Sequence, residues 1–412
     1  MHQPDKKITL LAAAITATLG ISAAQASGFR VPEISVLGTG TSNALVANTN
    51  ELGALPYNPA NMAFHDKNGL VAGVTYIGYD LKVDTNVQGG GSFDSTGKDS
   101  FWVPNLYFMA PGYGKVSFGL GINSPFGLET GWSADTFPSF AALGPAAAAA
   151  APAVSRIQMI NINPNIAYEI NNTTSFAVGV DYYQVRDIML NTQAAKIEGT
   201  GQDFGWNIGF TKKFDKWNLG LSYRSSVKVD INGTINDAAP ATSSVEFPDL
   251  LQIGAYFQAS DKWGLELDLE RTGWSSFDKL VISIPAVPPP AGPTITSTNN
   301  WDDAWAVRLG AIYAINEQTN LLLGYSFDET GQPDQYFSAR VPDNDRQLFS
   351  VGVTHDYSGW TLEAAYMYVM VDDRTFNTTT PPNPADANGT SLYNGTYESS
   401  VNLLSIGVSK KF

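Results

Sequence analysis

Glu266, Asp268 and Glu270 place three carboxylates at alternating positions of one short stretch. On a β-strand, alternate residues share a face. Three acids on one face could hold a cation, or form a polar wall that pairs with bases such as Arg224 and Arg308. Nothing else has the pattern of a reaction centre. The three histidines, His2, His65 and His355, are far apart in the chain. No Gly-x-Ser-x-Gly sequence, no pair of histidines at metal spacing and no phosphate loop occurs. A hydrolase would need a Ser–His pair, and none stands out. The chain has no cysteine, which excludes thiol catalysis, disulfides and thiolate metal sites. These observations predict a non-enzyme with no cofactor and no bound metal.

Composition narrows the class further. Of 412 residues only 15% are charged, and the formal charge is −15. Ordinary globular chains carry about 25% charged residues. Gly, Asn, Ser, Thr and aromatic residues replace the missing charges. The acidic balance argues against a nucleic-acid partner.

The N-terminus has the pattern of an export signal. Lys6 and Lys7 precede an apolar run from Ile8 to about Ile21, and Ala24-Gln25-Ala26 forms a small-x-small cleavage pattern before Ser27. Residues 1–26 are therefore expected to be a bacterial signal peptide. Beyond it, no run of 18 or more apolar residues occurs. Ala141 to Val154 comes nearest but is broken by Gly144, Pro145 and Pro152. An exported chain without an apolar helix can still cross a membrane as a closed barrel.

The rest of the chain alternates with period two. Trp263, Leu265, Leu267 and Leu269 interleave with the three acids. An acid facing lipid is unfavourable, so the acids should face a lumen and the Trp/Leu side should face lipid. Phe204, Trp206, Ile208 and Phe210 alternate with Asp203, Gly205, Asn207 and Gly209. Phe176 to Tyr182, Leu321 to Asp328 and Trp360 to Tyr368 repeat the scheme. Tight turns lie at 111–114, 171–173, 215–216, 260–262, 316–318 and 358–359. Longer loops lie near 84–97, 124–155, 191–201, 233–245, 285–299, 331–345 and 375–397. Six tight turns and seven loops predict an all-β fold, a 14-stranded antiparallel transmembrane β-barrel over residues 69–412. Short turns at one end and long loops at the other suit an outer-membrane barrel, and the chain ends on an alternating strand with Phe412. The Ala/Pro-rich run from Pro145 to Ala153 reads as mobile loop, as do the Pro-rich runs near 285–293 and 378–384.

Residues 27–68 do not alternate. Their apolar side chains, among them Phe29, Val36, Leu45 and Met62, predict packing inside the lumen as an N-terminal plug.

At this point the residues resemble a known family. Ser27-Gly28-Phe29, Asn58-Pro59-Ala60 and Ser124-Pro125-Phe126-Gly127-Leu128-Glu129-Thr130 are similar to segments of the FadL-type outer-membrane transporters of long-chain fatty acids and other hydrophobic molecules. So are Ile162 to Tyr168, Tyr223-Arg224-Ser225, Trp274-Ser275-Ser276-Phe277 and Val341 to Arg346. The resemblance runs from Ser27 to Phe412. It implies an N-terminal hatch, and an Asn-Pro-Ala box beside an inward kink of the third strand where the wall opens laterally. The third strand would be Lys115 to Ser124, with Gly119 and Gly121 permitting the kink. Asn58, Pro59 and Ala60 would be anchored by hydrogen bonds near these two glycines. The Ala/Pro run replaces a longer polar loop of the family.

The loops near 124–155 and 191–201 are expected to form the outer capture surface, through Phe126, Leu128, Trp132, Phe137 and Phe140, although these aromatics would also suit an interfacial girdle. A carboxylate cargo needs a base. Arg156, Lys212 and Arg346 are candidates, and the strand parity of Arg224 and Arg308 points them inward. The expected function is facilitated diffusion of a hydrophobic small molecule, most simply a long-chain fatty acid, by a monomer surrounded by outer-membrane lipid. A hydrocarbon or aromatic-compound channel, a general porin and a structural or adhesin barrel are the alternatives. The expected location predicts heat-modifiable migration on gels and a protease-resistant membrane fraction; a soluble protein with a helix-rich circular dichroism spectrum would refute it.

Overall fold

Alternation becomes a wall because each strand can place its apolar side in lipid only if its backbone is fully paired. The computed structural model describes residues 28–112, 114–285 and 294–412. The expected signal peptide, Ser27, Tyr113 and part of the 285–299 loop lie outside the described residues. Among the described residues, fourteen strands form the wall. They are β1 (Gly69–Asp84), β2 (Ser100–Pro111), β3 (Val116–Asn123, resumed at Gly127–Gly131), β4 (Pro152–Asn171) and β5 (Thr174–Thr192). Next come β6 (Ile197–Lys213), β7 (Trp217–Arg224 and Val227–Ile235), β8 (Ala239–Phe247 and Leu250–Gln258) and β9 (Trp263–Thr272 and Lys279–Ser283). The last are β10 (Thr294–Thr298 and Ala304–Ala314), β11 (Thr319–Asp328), β12 (Arg346–Tyr357), β13 (Trp360–Val371 and Arg374–Phe376) and β14 (Gly395–Lys411). Each strand pairs antiparallel with the next. Closure comes from β1 on β14, in register from Gly69↔Lys411 to Asp84↔Thr396. Among the described residues no helix is long and apolar enough to cross a membrane.

The two faces separate as the pattern requires. Trp263, Leu265, Leu267 and Leu269 are 37–45% exposed, whereas Glu266, Asp268 and Glu270 are 1–5% exposed. Phe204, Trp206, Val178, Leu362 and Tyr366 continue the outward apolar belt.

Two expected loops are largely strand. β5 runs to Thr192 and β6 starts at Ile197; β7 runs to Ile235 and β8 starts at Ala239. The glycines in these two stretches allow close backbone approach. Gly199 pairs with Gly233, and a Cβ on Gly233 would lie 1.9 Å from Glu198 O. The Ala/Pro run also differs from the mobile loop expected. It forms a short helix, Pro145–Ala150, just after another, Pro138–Ala142, each with proline in its first turn, where a missing N–H is harmless. The Pro145–Ala150 helix is tied to the β5–β6 connection, since Gln193 N donates to Ala151 O at 2.9 Å and Ala194 N to Ala149 O at 3.2 Å.

Residues 28–68 lie against the inward faces of the strands. A layer of charge fixes them there. Arg30 pairs with Glu270, which also accepts from Arg308 Nη2 at 2.8 Å. Arg308 and Arg346 converge on Asp328 at 3.0 and 2.9 Å. Asp268 accepts backbone N–H groups of Leu45 and Val46 at 2.8 and 3.0 Å, and Glu266 accepts Ala47 N at 2.5 Å. Removing one partner of a buried pair typically costs about 3–5 kcal/mol, because the other charge is left alone. Asp328→Ala strips Arg346 of its carboxylate and should lower the temperature of the heat-modified gel shift; no change would mean the layer adds little to stability.

Candidate functional site

Pro125 has no N–H to give a ladder, and the third strand breaks around it. The break falls at Ser124–Phe126, not at Gly119 or Gly121. Both glycines sit in unbroken ladders on either side, Met109↔Gly119↔Asn165 and Tyr107↔Gly121↔Asn163. The β2–β3 ladder ends at Leu106↔Ile122, although β2 continues to Ser100. β3 stays with β4 instead, resuming at Gly127↔Gln158. A window in the pairing is left between β2 and β3. Towards the long-loop end it is bounded by the β1–β2 loop, where Thr96 N donates to Gly131 O at 2.9 Å and Lys98 N to Glu129 Oε1 at 3.1 Å.

The N-terminal segment supplies the hydrogen bonds that the broken strand lacks. Val31 N donates to Pro125 O and Gly127 N to Phe29 O, both at 2.8 Å, with Arg30 bridged to Phe126. Tyr107 Oη donates to Ile34 O at 2.5 Å beside the window. These contacts seat Phe29 in an aromatic cage. Its ring lies 4.6 Å from Trp274, 5.3 Å from Phe277, 6.1 Å from Phe126 and Phe247, and 6.2 Å from Trp301. Gly28 has φ of 66°, and a Cβ there would meet Trp301 at 2.5 Å, so only glycine admits this entry to the cage. Gly28 N donates to Asp343 Oδ2 at 3.0 Å. Burial pushes the Asp343 carboxyl above the usual range.

The Asn-Pro-Ala box is held elsewhere than expected. Asn58 Nδ2 donates to Val46 O at 2.9 Å, Thr211 Oγ1 at 3.0 Å and Phe210 O at 3.1 Å, and its Oδ1 accepts Ala60 N at 3.1 Å. Ser175 Oγ donates to Ala60 O at 2.8 Å. Pro59 opens the short 3-10 turn Pro59–Phe64. The anchors are thus on β5 and β6. Gly119 meets the segment through Met62, whose Sδ would lie 2.3 Å from a Cβ at that glycine, and Gly121 packs on Tyr107.

The expected capture residues divide between two buried apolar clusters. Phe126 and Leu128 join the Phe29 cage, with Tyr183, Val229, Val245 and Phe247. Trp132, Phe137 and Phe140 join Val31, Phe101, Phe337, Tyr393 and Tyr397. All five are at most 3% exposed, so they form no interfacial girdle. A third apolar surface lies at the long-loop end, a groove lined by Ile188, Leu190, Ile197, Ile231, Val245, Leu280 and Ile282. It is built by the strand extensions of β5 to β9.

Arg224 and Arg308 do point inward, but both meet internal carboxylates: Arg224 pairs with Asp181, and Arg308 with Glu270 and Asp328. Arg156 pairs with Glu129 and Asp187, and Arg346 with Asp328. Lys212 donates only to Thr173 and Thr174 at the short-turn end. Among the described residues no group of three or more acids and histidines is placed to hold a metal ion. Sequence reasoning missed the cage residues Trp274 and Trp301, the bridging Arg30 and the groove. The adjacent Gly28-Phe29 and Trp274-Ser275-Ser276-Phe277 segments carried the only sign of the cage.

Asn58→Ala removes all of the Asn58 side-chain bonds. It should raise small-solute conductance in planar bilayers while barrel assembly persists. Unchanged conductance would mean that these bonds do not hold residues 28–68 in the lumen.

Comparison with known proteins agrees with this architecture. The long-chain fatty acid transport protein of Salmonella typhi is 26% identical over 406 residues, covering 86% of this chain and 90% of that protein. The crystal structure of a Pseudomonas aeruginosa FadL homologue superposes with a TM-score of 0.76 at 19% identity, covering 93% of this chain and all of that one. The Ralstonia pickettii toluene transporter TbuX gives 0.66 at 15% identity, again covering 93% and 100%. These two likenesses concern the fold. The sequence profile of one family matches residues 17–412, and the chain belongs to that family, the outer membrane protein transport proteins (OMPP1/FadL/TodX).

Proposed function

We propose that this outer-membrane channel takes up long-chain fatty acids by facilitated diffusion, with residues 28–68 as its plug and lateral exit through the β2–β3 window. The observation that carries the reading is the loss of pairing between β2 and β3 beyond Leu106↔Ile122, beside the proline-broken stretch of β3 that Phe29 and Val31 bond. The outer groove offers an apolar landing surface. Each methylene buried there gains about 0.8 kcal/mol, so a long alkyl chain needs no coupled energy source. The Phe29 cage lies next on the inward path, and its own phenylalanine fills it. Passage requires Phe29 to yield. Because Phe29 and Val31 also bond to the broken third strand, displacing them frees the backbone that borders the window. The name of the Salmonella relative supports the cargo class. The protein acts as a monomer in outer-membrane lipid, with no catalytic step.

A neutral aromatic hydrocarbon is the second reading, favoured by one observation. The inward bases Arg224 and Arg308 are already compensated by Asp181, Glu270 and Asp328, so neither offers a spare cation to a carboxylate.

Uptake of labelled hexadecanoate and toluene by cells lacking their own transporter tests both. Hexadecanoate uptake above background, lost in Phe29→Glu, is expected. Toluene uptake alone would favour the second reading, and passage of sugars with neither ligand would make the protein a porin.

A further inference from the structure

Arg340 stands apart from the other inward arginines. Arg30, Arg156, Arg224, Arg308 and Arg346 each meet at least one carboxylate. Arg340, on the β11–β12 connection, is partly buried among neutral groups. Its Nη1 donates to Ser155 Oγ and to Asn191 O, both at 2.9 Å, and Tyr393 lies close to its side chain. No carboxylate among the described residues is within ion-pair distance of it. A guanidinium carries five N–H donors. Desolvating it without a counter-charge is costly unless an anion arrives.

Its placement is fixed on both sides. Thr130 Oγ1 donates to the carbonyl of Arg340 at 2.5 Å, and Trp132 Nε1 to that of Ala339 at 2.7 Å. The loop backbone is thereby tied to the resumed part of β3. The guanidinium reaches to β4 and β5, where Ser155 is registered opposite Leu190 and Ile157 opposite Ile188. Directly opposed side chains on an antiparallel pair stand about 5 Å apart on one face. Leu190 and Ile188 line the outer apolar groove. The uncompensated cation therefore sits at the Leu190 end of that groove, next to the cluster of Trp132, Phe137 and Phe140. Apolar surface ending at one unpaired base is the arrangement an anionic amphiphile recognises.

We propose that Arg340 is the head-group receptor of the outer groove, binding the carboxylate of a long-chain acid whose alkyl chain lies along Leu190, Ile188 and Ile282. This rests on the fatty-acid reading above and names the residue that separates that cargo from a neutral hydrocarbon. Arg340 is one residue whose charge no internal acid has claimed. A planar guanidinium can take a carboxylate by two parallel bonds.

The test uses the full-length protein purified in a neutral detergent at about pH 8, where a carboxylic acid is ionised. Equilibrium binding of radiolabelled hexadecanoate is compared with that of its neutral methyl ester, for wild type, Arg340→Gln, Arg340→Lys and Leu190→Asn. The heat-modified gel shift confirms that each variant is folded. Arg340→Gln should weaken hexadecanoate about tenfold or more and leave the ester within about twofold, since only a charge-assisted bond is lost. Arg340→Lys should recover part of the loss. Leu190→Asn should weaken both ligands alike. Unchanged hexadecanoate binding in Arg340→Gln would overturn the assignment, with the fatty-acid reading left standing. Equal loss of both ligands in Arg340→Gln would overturn it too, as the sign of a structural role. Wild-type protein that binds the ester but not hexadecanoate would refute the fatty-acid reading itself.

Discussion

Everything at the centre of this barrel depends on two backbone hydrogen bonds, Val31 N to Pro125 O and Gly127 N to Phe29 O. A strand inside a membrane wall cannot leave its N–H and C=O groups unpaired, because lipid offers no partners. Pro125 interrupts β3, and β2 loses its neighbour from Asn105 onward. Such a break is tolerable only where protein takes the place of the missing strand. Phe29 to Val31 do so from inside for the interrupted stretch of β3. Residues 124–131 are accordingly buried throughout. The broken stretch of β3 and the N-terminal segment are therefore joined by backbone hydrogen bonds.

The charged layer ties the N-terminal segment to the wall at further points. Arg30, Glu270, Arg308, Asp328 and Arg346 form a chain of ion pairs that joins the N-terminal segment to β9, β10, β11 and β12. Asp268 and Glu266 add three backbone N–H groups of residues 45–47. Buried charges tolerate no half-broken arrangement, since a single unpaired member carries the full desolvation penalty. Residues near 45–47 are thus pinned. Phe29 is held by its aromatic neighbours and by the bond from Gly127 N to its carbonyl.

The same layer explains where a ligand's polar end would not go. Charges that serve the fold are already neutralised, so the lumen's visible arginines are poor receptors. Apolar surface lies on either side of Phe29 to Val31, in the Phe126 and Trp132 clusters, and continues outward into the groove.

Much of this was legible in the residue order, for a local reason. Period-two alternation depends only on neighbours along the chain, so the lipid face of Trp263 to Leu269 and the inward face of Glu266 to Glu270 followed from the sequence. So did the tight turns and the strand count. Glycine and proline carried less, because their meaning depends on what approaches them. Gly199 and Gly233 fall in stretches expected to be loops, yet they are a cross-strand pair that needs close backbone contact. Gly119 and Gly121 read as a kink, yet it is Pro125 that breaks the ladder, because lack of a donor interrupts pairing where mere flexibility does not. Strand parity determined that Arg224 and Arg308 point inward. Only the tertiary structure decided that Asp181, Glu270 and Asp328 neutralise them while Arg340 meets Ser155, Asn191 and Tyr393, for ion pairs join residues tens to hundreds of positions apart and no local pattern encodes which cation is left over.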